Sequence, residues 1–501
     1  MNFANLFEEV RKYPVAHVSA RTIDGDQRTV PAHVLLDEAL ALSCRLSEAG
    51  VEPGMQIGIQ AQNCYEYLVW DLAAIGIGAV LHAIPEDLPA TGVAEIVKKH
   101  RAALWVFEAA SHLEGVGNGL AIRGSLEAEH VPVARDAVVL GNKDIHSRVY
   151  SSGSSGHLKG LDISRKGTEL LVSDFIDDFG LSSADSHLIF LPLSNYQQRL
   201  SVYGCLWSGV SFKLVGHTMV FQEIGRYAPS FIVAPPAIYD AVNNMLGRGA
   251  DASEKLKAFF GGNIRFMITG MAPIKKELLV AFNQHGLNLL EAYGVTETGM
   301  IAWNTPTRQR AGTVGRPIHP EHVQLTAENE ILIRRPFPLS CGYFDSSADD
   351  VGSTFLADGT IATGDIGVID GDGFLSLHGR KKEIMVTSGG SKFHPEEIER
   401  ALLSIEGIRS AVVTMSKKDG KLVAILVADD ACDPVLLAGI EQGVRSLNDS
   451  NPSYKRLHRK VVTAVLPSIE NRMLTRNLKC DRRGVYRYFQ SAIEAGDPVP
   501  A

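Results

Sequence analysis

Helical patterns alternate with short β-branched runs through most of the chain before Arg380, and a chain patterned that way is restricted to stacked α/β layers. The pattern predicts strands at Met55–Gln60, Leu104–Phe107, His187–Phe190, Phe212–Val215, Phe231–Ala234 and Ile264–Thr269. It predicts helices at Val34–Ala49, Tyr65–Ile75, Gly92–Lys99, Gly167–Phe179 and Ile274–His285. The most apolar run, Leu72 to Ile84, is broken by glycines, starts beside Asp71 and contains His82. It falls short of the ~20 residues that span a bilayer and reads as a buried helix followed by a strand.

From Gly312 onward the texture changes to short strands and turns, at Ile331–Arg334, Ile366–Asp370 and Phe374–Leu377. Asp370-Gly-Asp-Gly373 between the last two is a hairpin signal. Beyond Arg380 a new unit begins, with a strand at Glu383–Thr387, a turn at Ser388-Gly-Gly390 and a helix starting at His394-Pro-Glu-Glu-Ile398. Strands at Ala411–Met415 and Leu422–Val427 and a helix around Val435–Leu447 complete it, and the tail Ala495–Ala501 is expected to fray. A chain of 501 residues exceeds what one core supports. The fold class is therefore α/β, with a large multi-layer domain over 1–379, including a small β-rich subdomain, and a small α+β domain over 380–501. The polar junction Gly379-Arg-Lys-Lys382 is the expected hinge region.

The stretch Tyr150-Ser-Ser-Gly-Ser-Ser-Gly-His-Leu-Lys-Gly160 carries the chemistry. Seven of its eleven residues are Ser or Gly. Small side chains at Ser151, Ser152, Gly153, Ser154, Ser155 and Gly156 let successive N–H groups converge on one anion. Lys159 adds the compact charge that phosphates attract. The other reading is a flexible Ser/Gly linker. The spacing is not that of the common NTPase loop, because no Gly-Lys-Ser/Thr follows four residues after a first glycine.

Charge and cysteine usage narrow the class. A net charge of −8 argues against a nucleic-acid surface. The six cysteines form no CxxC pair, so neither a zinc site nor a disulfide framework is indicated, and a reducing cytoplasm is expected. The N-terminal Met-Asn-Phe-Ala-Asn-Leu-Phe-Glu-Glu-Val lacks the pattern of a signal peptide.

Further segments gain meaning beside the Ser/Gly loop. In Glu291-Ala-Tyr-Gly-Val-Thr-Glu-Thr-Gly299, Tyr293 offers an aromatic face before Gly294, and Glu297 a carboxylate at a turn where magnesium could sit. A packed tyrosine at a strand end is the competing reading. Thr363-Gly-Asp-Ile-Gly367 puts Asp365 between glycines at a strand start, able to accept from both ribose hydroxyls or to be an ordinary turn aspartate. Together with Gly312-Thr-Val-Gly-Arg-Pro317 and Gly379-Arg-Lys-Lys-Glu383, these segments occur in the order and spacing of the adenylate-forming superfamily. Nearly the whole chain resembles it. Phe190-Leu-Pro-Leu-Ser-Asn-Tyr-Gln-Gln-Arg199 and Gly262-Asn-Ile-Arg-Phe-Met-Ile-Thr-Gly-Met-Ala-Pro273 resemble the long-chain fatty acyl-CoA synthetase branch.

The resemblance implies ATP-dependent activation of a carboxylic acid to an acyl-adenylate. A thiol then displaces AMP, from coenzyme A or from the phosphopantetheine of an acyl carrier protein; an amine acceptor or a non-catalytic relative are the alternatives. It implies that Ser151–Gly160 hold the β,γ-phosphates, with Thr296 beside the α-phosphate and Glu297 on Mg2+. Tyr293 would lie on the adenine, with Gly270, Met271, Ala272 and Pro273 on its other side, and Asp365 and Arg380 would fix the ribose. The small domain would swing about Lys382, opening a pantetheine channel beside Gly389 and Gly390. Asn195, Tyr196, Tyr203, Pro235 and Ala292 are the expected acyl-pocket positions.

The adenylation lysine has two registers. The commoner family ending, Pro-x-x-x-x-Gly-Lys, starts at Pro467 and puts Arg472-Met473 where Gly-Lys belongs. The long-chain branch ends differently, and Leu474-Thr-Arg-Asn-Leu-Lys-Cys-Asp-Arg482 resembles that form, which nominates Lys479. Three departures stand out. Ser155 replaces a usual Thr, Leu158 a usual Pro, and Asn195 a common His, although an Asn there also suits a helix cap.

Overall fold

The structure is a computed structural model that describes residues 2–152, 158–247, 249–272, 274–346, 348–386, 391–468, 470–474, 480–495 and 497–498. Among these, nine strands form one sheet in the spatial order Arg316–Pro317, Gly299–Trp303, Leu289–Val295, Phe266–Thr269, Phe231–Ala234, Ser186–Ile189, Ser211–Leu214, His17–Arg21 and Gln27–Pro31. Its centre is parallel, and the continuous apolar runs Phe231–Ala234 and Phe266–Thr269 are what strands covered on both faces require. A second sheet orders Ser340–Asp345, Leu158–Ser164, Ile145–Ser152, Val80–Ala83, Gln56–Gln60, Leu104–Phe107 and Gly119–Ala121.

Two helices, Tyr65–Ile77 and Tyr196–Ser208, contribute buried residues along nearly their whole length to the main core. Burial on every side, polar residues included, marks them as internal helices. Their buried charges include one pair between them. Asp71 and Arg199 pair at 3.2 Å, both almost wholly buried. Burial raises the Asp71 pKa, and the guanidinium opposes that shift.

A third sheet, Val323–Leu325, Glu330–Ile333, Ile361–Ile369 and Leu375–Arg380, has its own small core around Tyr293, Ile301 and Ile331. A fourth comprises Ile408–Met415, Leu422–Ala428, Arg459–Thr463 and Asp497–Pro498, with the helices Pro395–Leu403 and Pro434–Ser450. Its buried side chains cluster only with one another. Contacts with the rest of the chain include Lys275 Nζ donating to the Ile408 carbonyl at 2.6 Å and Arg400 Nη2 donating to the His378 carbonyl at 3.2 Å.

Most expected elements are present within a few residues of their predicted bounds, including the helix Tyr65–Ile77 followed by the strand Val80–Ala83. The Asp370–Gly373 turn does join two antiparallel strands. Four points differ. The antiparallel pair His17–Arg21 and Gln27–Pro31 was not predicted, because both strands are short and rich in Ser, Thr, Gln and Arg, and in the edge strand Gln27–Pro31 no residue is fully buried. Asp365 lies in the middle of the strand Ile361–Ile369 rather than at its start, beside an irregularity at Ile366/Gly367. Lys381–Glu383 form a 3-10 turn, leaving only Met385–Val386 extended among the described residues of the expected Glu383–Thr387 strand. In the tail, Asp497–Pro498 pair with Arg459–Lys460 instead of fraying.

Candidate active site

Parallel strands leave their crevice at the carboxyl ends, and three sequence-predicted segments meet there. Gly270 and Met271 follow the strand Phe266–Thr269, Pro235 follows Phe231–Ala234, and Ala292 and Tyr293 lie in Leu289–Val295. A Cβ on Gly270 would stand 2.9 Å from the Ala292 carbonyl oxygen, so this close approach of backbone requires glycine. Met271 has φ +70°, an uncommon left-handed backbone for a side-chain-bearing residue. Pro273 lies outside the described residues.

One side of the crevice is a chain of three polar groups. Tyr293 Oη donates to Asp365 Oδ2 at 2.7 Å, and Arg380 Nε contacts Asp365 Oδ1 at 2.9 Å. Asp365 is buried, and its neighbour Arg380 is held above its ordinary pKa chiefly by that carboxylate. Tyr293 is buried too, which raises its hydroxyl pKa well above the usual value. The ring is packed, as the competing reading expected, and its hydroxyl is fixed on the Asp365 carboxylate. Beneath it, burial pushes the Glu291 pKa up to about 8, with Arg400 opposing.

On the other side, a residue that sequence reasoning missed connects two that it named. Tyr343 Oη donates to Glu297 Oε1 at 2.6 Å, and Lys159 Nζ lies 5.4 Å from the centroid of the same ring. Glu297 sits in the turn between Leu289–Val295 and Gly299–Trp303, beside Thr296. Tyr343 belongs to Ser340–Asp345, which pairs antiparallel with Leu158–Ser164. The pairing of Ile145–Ser152 with Leu158–Ser164 continues out to Ser151↔Lys159 and Ser152↔Leu158. The Ser/Gly stretch therefore joins two paired strands inside a sheet, which is not the setting of an interdomain linker. Gly153, Ser154, Ser155 and Gly156 themselves lie outside the described residues. The signal for Tyr343 was only an alternating Cys-Gly-Tyr-Phe run, and nothing local in that run points to Glu297.

Comparison with known proteins agrees with this geometry. The family described as AMP-binding enzyme matches residues 6–336, and the AMP-binding enzyme C-terminal domain matches residues 382–496. The chain belongs to the AMP-binding enzyme family. This AMP-binding enzyme is 26% identical to the long-chain-fatty-acid–CoA ligase FadD15 of Mycobacterium tuberculosis, over 98% of this chain and 96% of that one. Among solved structures, the anthranilate CoA ligase AuaEII in complex with anthranoyl-AMP is similar at a TM-score of 0.80 and 20% identity, covering 99% of this chain and 98% of that one. The amide bond synthetase McbA of Marinactinospora thermotolerans is similar at a TM-score of 0.75 and 21% identity, covering 97% and 100%.

The structure separates the remaining named residues of this AMP-binding enzyme. Asn195 caps the helix Tyr196–Ser208, its Oδ1 accepting from the Gln197 backbone N–H at 3.2 Å. Tyr196 Oη meets His146 Nε2 at 2.6 Å and also Thr168 Oγ1, while Tyr203 Oη donates to Asp71 Oδ2 at 2.8 Å. Both rings are buried within this polar network. Met473 is fully buried among Val412, Val423, Ile425 and Val485, so a lysine at that place would be enclosed in a hydrophobic core. Lys479, Gly389 and Gly390 lie outside the described residues.

At the junction with the C-terminal unit, Arg482 faces three carboxylates. It pairs with Glu399, reaches Glu383 Oε2 at 3.4 Å and Glu396 Oε1 at 3.7 Å, and donates to the Val413 carbonyl at 2.8 Å. Burial and the facing Glu383 carboxyl push Glu396 up to about 8. A carboxyl with a raised folded-state pKa stabilises fully below its unfolded value, and that contribution fades as pH rises through about 8. Glu291 acts with the same sign. The Glu396 and Glu291 contributions to the thermal midpoint are therefore expected to decline between about pH 5 and about pH 8.5, opposed at the acid end by the buried His82, His146 and His187, whose lowered pKa values act with the other sign, and Glu396→Gln to remove part of that decline. A decline of equal size in both proteins, followed by circular dichroism, would count against the assignment.

Proposed function

We propose that this enzyme activates a carboxylic acid with ATP and passes the acyl group to a thiol, coenzyme A in the first instance. The observation that carries the reading is the Glu297–Tyr343–Lys159 contact. It brings the stem of the Ser/Gly hairpin against the Thr296–Glu297 turn, 2.6 Å from carboxylate to phenol, within one crevice that also holds Asp365 and Arg380.

The chemical obstacle is repulsion between a carboxylate and a polyphosphate, so catalysis depends on positive charge and N–H donors placed where charge develops. An acid oxygen attacks the α-phosphorus, the bond to the bridging oxygen breaks, and pyrophosphate leaves with that electron pair. The thiol sulfur then attacks the acyl carbonyl, and AMP leaves as the carboxyl C–O bond breaks. Ser151–Gly160 with Lys159 would hold the β,γ-phosphates, Thr296 the α-phosphate, and Asp365 with Arg380 the ribose hydroxyls. Gly270, Met271, Ala272 and Tyr293 would border the adenine, with Gly294 needed because a Cβ there would stand 2.4 Å from the Gly299 carbonyl oxygen. An all-oxygen donor set at a turn suits magnesium. Glu297 would hold that ion, which supplies charge neutralisation of the phosphates when bound.

Residues 1–379 and 380–501 would act as body and swinging cap, with Lys382 as pivot and Gly389-Gly390 beside the thiol's path. One nucleotide site would then serve two half-reactions. Asn195, Pro235 and Ala292 would shape the acyl end; the hydroxyls of the buried Tyr196 and Tyr203 are taken up instead by His146, Thr168 and Asp71. The similarity to a long-chain-fatty-acid–CoA ligase supports a fatty or related acyl group. Pyrophosphate release across short, medium, long and aromatic acids, then thioester formation with coenzyme A, tests the reading. Release that needs no acid would end it, and an adenylate discharged only by a carrier-protein thiol or an amine would reassign the acceptor.

The pivot makes its own prediction. Lys382→Pro should lower thioester formation from preformed adenylate by about tenfold or more while adenylation holds within about threefold, because proline restricts φ and the residue before it. Equal losses in both half-reactions, measured separately by quench-flow, would contradict the swing.

A further inference from the structure

Away from the crevice, His319-Pro-Glu-His322 forms a compact cluster on the link between Arg316–Pro317 and Val323–Leu325. Pro320–His322 is a 3-10 turn capped by His319, and i,i+3 side chains of such a turn stack over one another. The two imidazole centroids are accordingly 5.2 Å apart. Glu321 Oε1 lies 3.6 Å from His319 Nδ1 and 3.9 Å from His322 Nε2, and one atom from each of the three residues falls within 4.8 Å of the others.

We propose that His319 Nδ1, Glu321 Oε1 and His322 Nε2 form a site for a borderline divalent transition-metal ion of the zinc type. Three features of the cluster suit such an ion. The ligand set, two imidazoles and a carboxylate, is one that zinc accepts with a fourth position left for water. A tetrahedral ion with bonds near 2.1 Å wants ligand atoms about 3.4 Å apart, so closure takes shifts of about 1 Å or less. Glu321, whose side chain is 66% exposed, is free to make them.

The third feature is His319's other nitrogen. Its Nε2 meets Asp174 Oδ2, on the helix Arg165–Phe179, at 3.0 Å. A carboxylate there holds the proton on Nε2 and leaves the Nδ1 lone pair turned to Glu321. This carboxylate–histidine–metal arrangement fixes tautomer and ring orientation in metal sites. Arg335, whose charge acts on His322, is occupied elsewhere, donating to the Thr298 and Met300 carbonyls at 3.1 and 2.6 Å. Imidazole ligands favour zinc, copper, nickel or cobalt over magnesium, so the site is chemically distinct from the oxygen-only position at Glu297. A bound ion would tie the helix Arg165–Phe179 to the linker that leads into the third sheet.

Isothermal titration of the full chain with Zn2+, and the visible absorption of Co2+ in its place, test the proposal. The expected result is one tight ion per chain, with affinity lowered about a hundredfold or more in the His319→Ala/His322→Ala double variant. Asp174→Asn should lower it about tenfold, the scale for losing such a supporting carboxylate. The thermal midpoint should rise with Zn2+ in the wild type and not in the double variant. Magnesium-dependent pyrophosphate release should persist in the double variant, which also shows that it folds. Equal Zn2+ affinity and stoichiometry in wild type and double variant would overturn the site, as would no binding up to about 1 mM Zn2+.

Discussion

Lys479→Ala is expected to slow acyl-adenylate formation by about a hundredfold or more, the cost of removing one donor aimed at developing charge. The residue belongs to the Leu474–Arg482 ending, whose described flanks are ordered by neighbours. Leu474 and Cys480 form an antiparallel bridge, and Arg482 is anchored on Glu399. In the competing register the lysine position is held by Met473, which is completely enclosed by the C-terminal core and offers no charge. Discharge of a preformed adenylate by thiol should change far less, because that half-reaction builds no charge at the α-phosphorus. Rapid-quench assays of the two steps decide the matter. An alanine variant that adenylates at the wild-type rate would remove Lys479 from the mechanism and favour a non-catalytic or differently catalysed enzyme.

The largest effect on stability is expected from Arg482→Met. The guanidinium serves Glu399, Glu383 and Glu396 together with the Val413 carbonyl, and the change leaves three carboxyl groups facing one another with only the Arg380 charge acting on Glu383. Breaking a buried pair by removing one partner costs about 3–5 kcal/mol. The lower end applies here, because the Arg482 side chain retains 22% of its exposure and water can reach it. The triple carboxyl cluster should also take up protons more readily, so the loss should be smaller at about pH 5 than at about pH 8. Urea unfolding at the two pH values reports this. A variant as stable as wild type at both would show that the cluster is decorative. Since Glu383 follows the proposed pivot at Lys382, the same variant should also disturb the thiol half-reaction more than a surface Arg→Met elsewhere.

Sequence periodicity recovered the elements with strong hydrophobic signal, such as Phe231–Ala234, Leu104–Phe107 and Tyr65–Ile77, since apolar runs of those lengths have few alternatives in a packed domain. It lost the pair His17–Arg21 and Gln27–Pro31, both short and rich in Ser, Thr, Gln and Arg. The Ser/Gly stretch was legible as chemistry from composition alone. Its setting between paired strands was not, because Ile145–Ser152 and Leu158–Ser164 are specified by partners elsewhere in the sheet.

The site divides along the same line. Asp365, Tyr293, Glu297 and Arg380 could be named from ordered motifs, because each sits where a short glycine-marked pattern shapes the local backbone. Tyr343, joining Glu297 to Lys159, and Asp174, holding His319, could not, because each contact spans a long stretch of chain. Local pattern determined which residues are candidates for chemistry and which elements they ride on. Only tertiary structure decided which of them touch: a hydrogen bond between distant residues is set by sheet register and helix packing, and these minimise the free energy of the whole chain, not of any one segment.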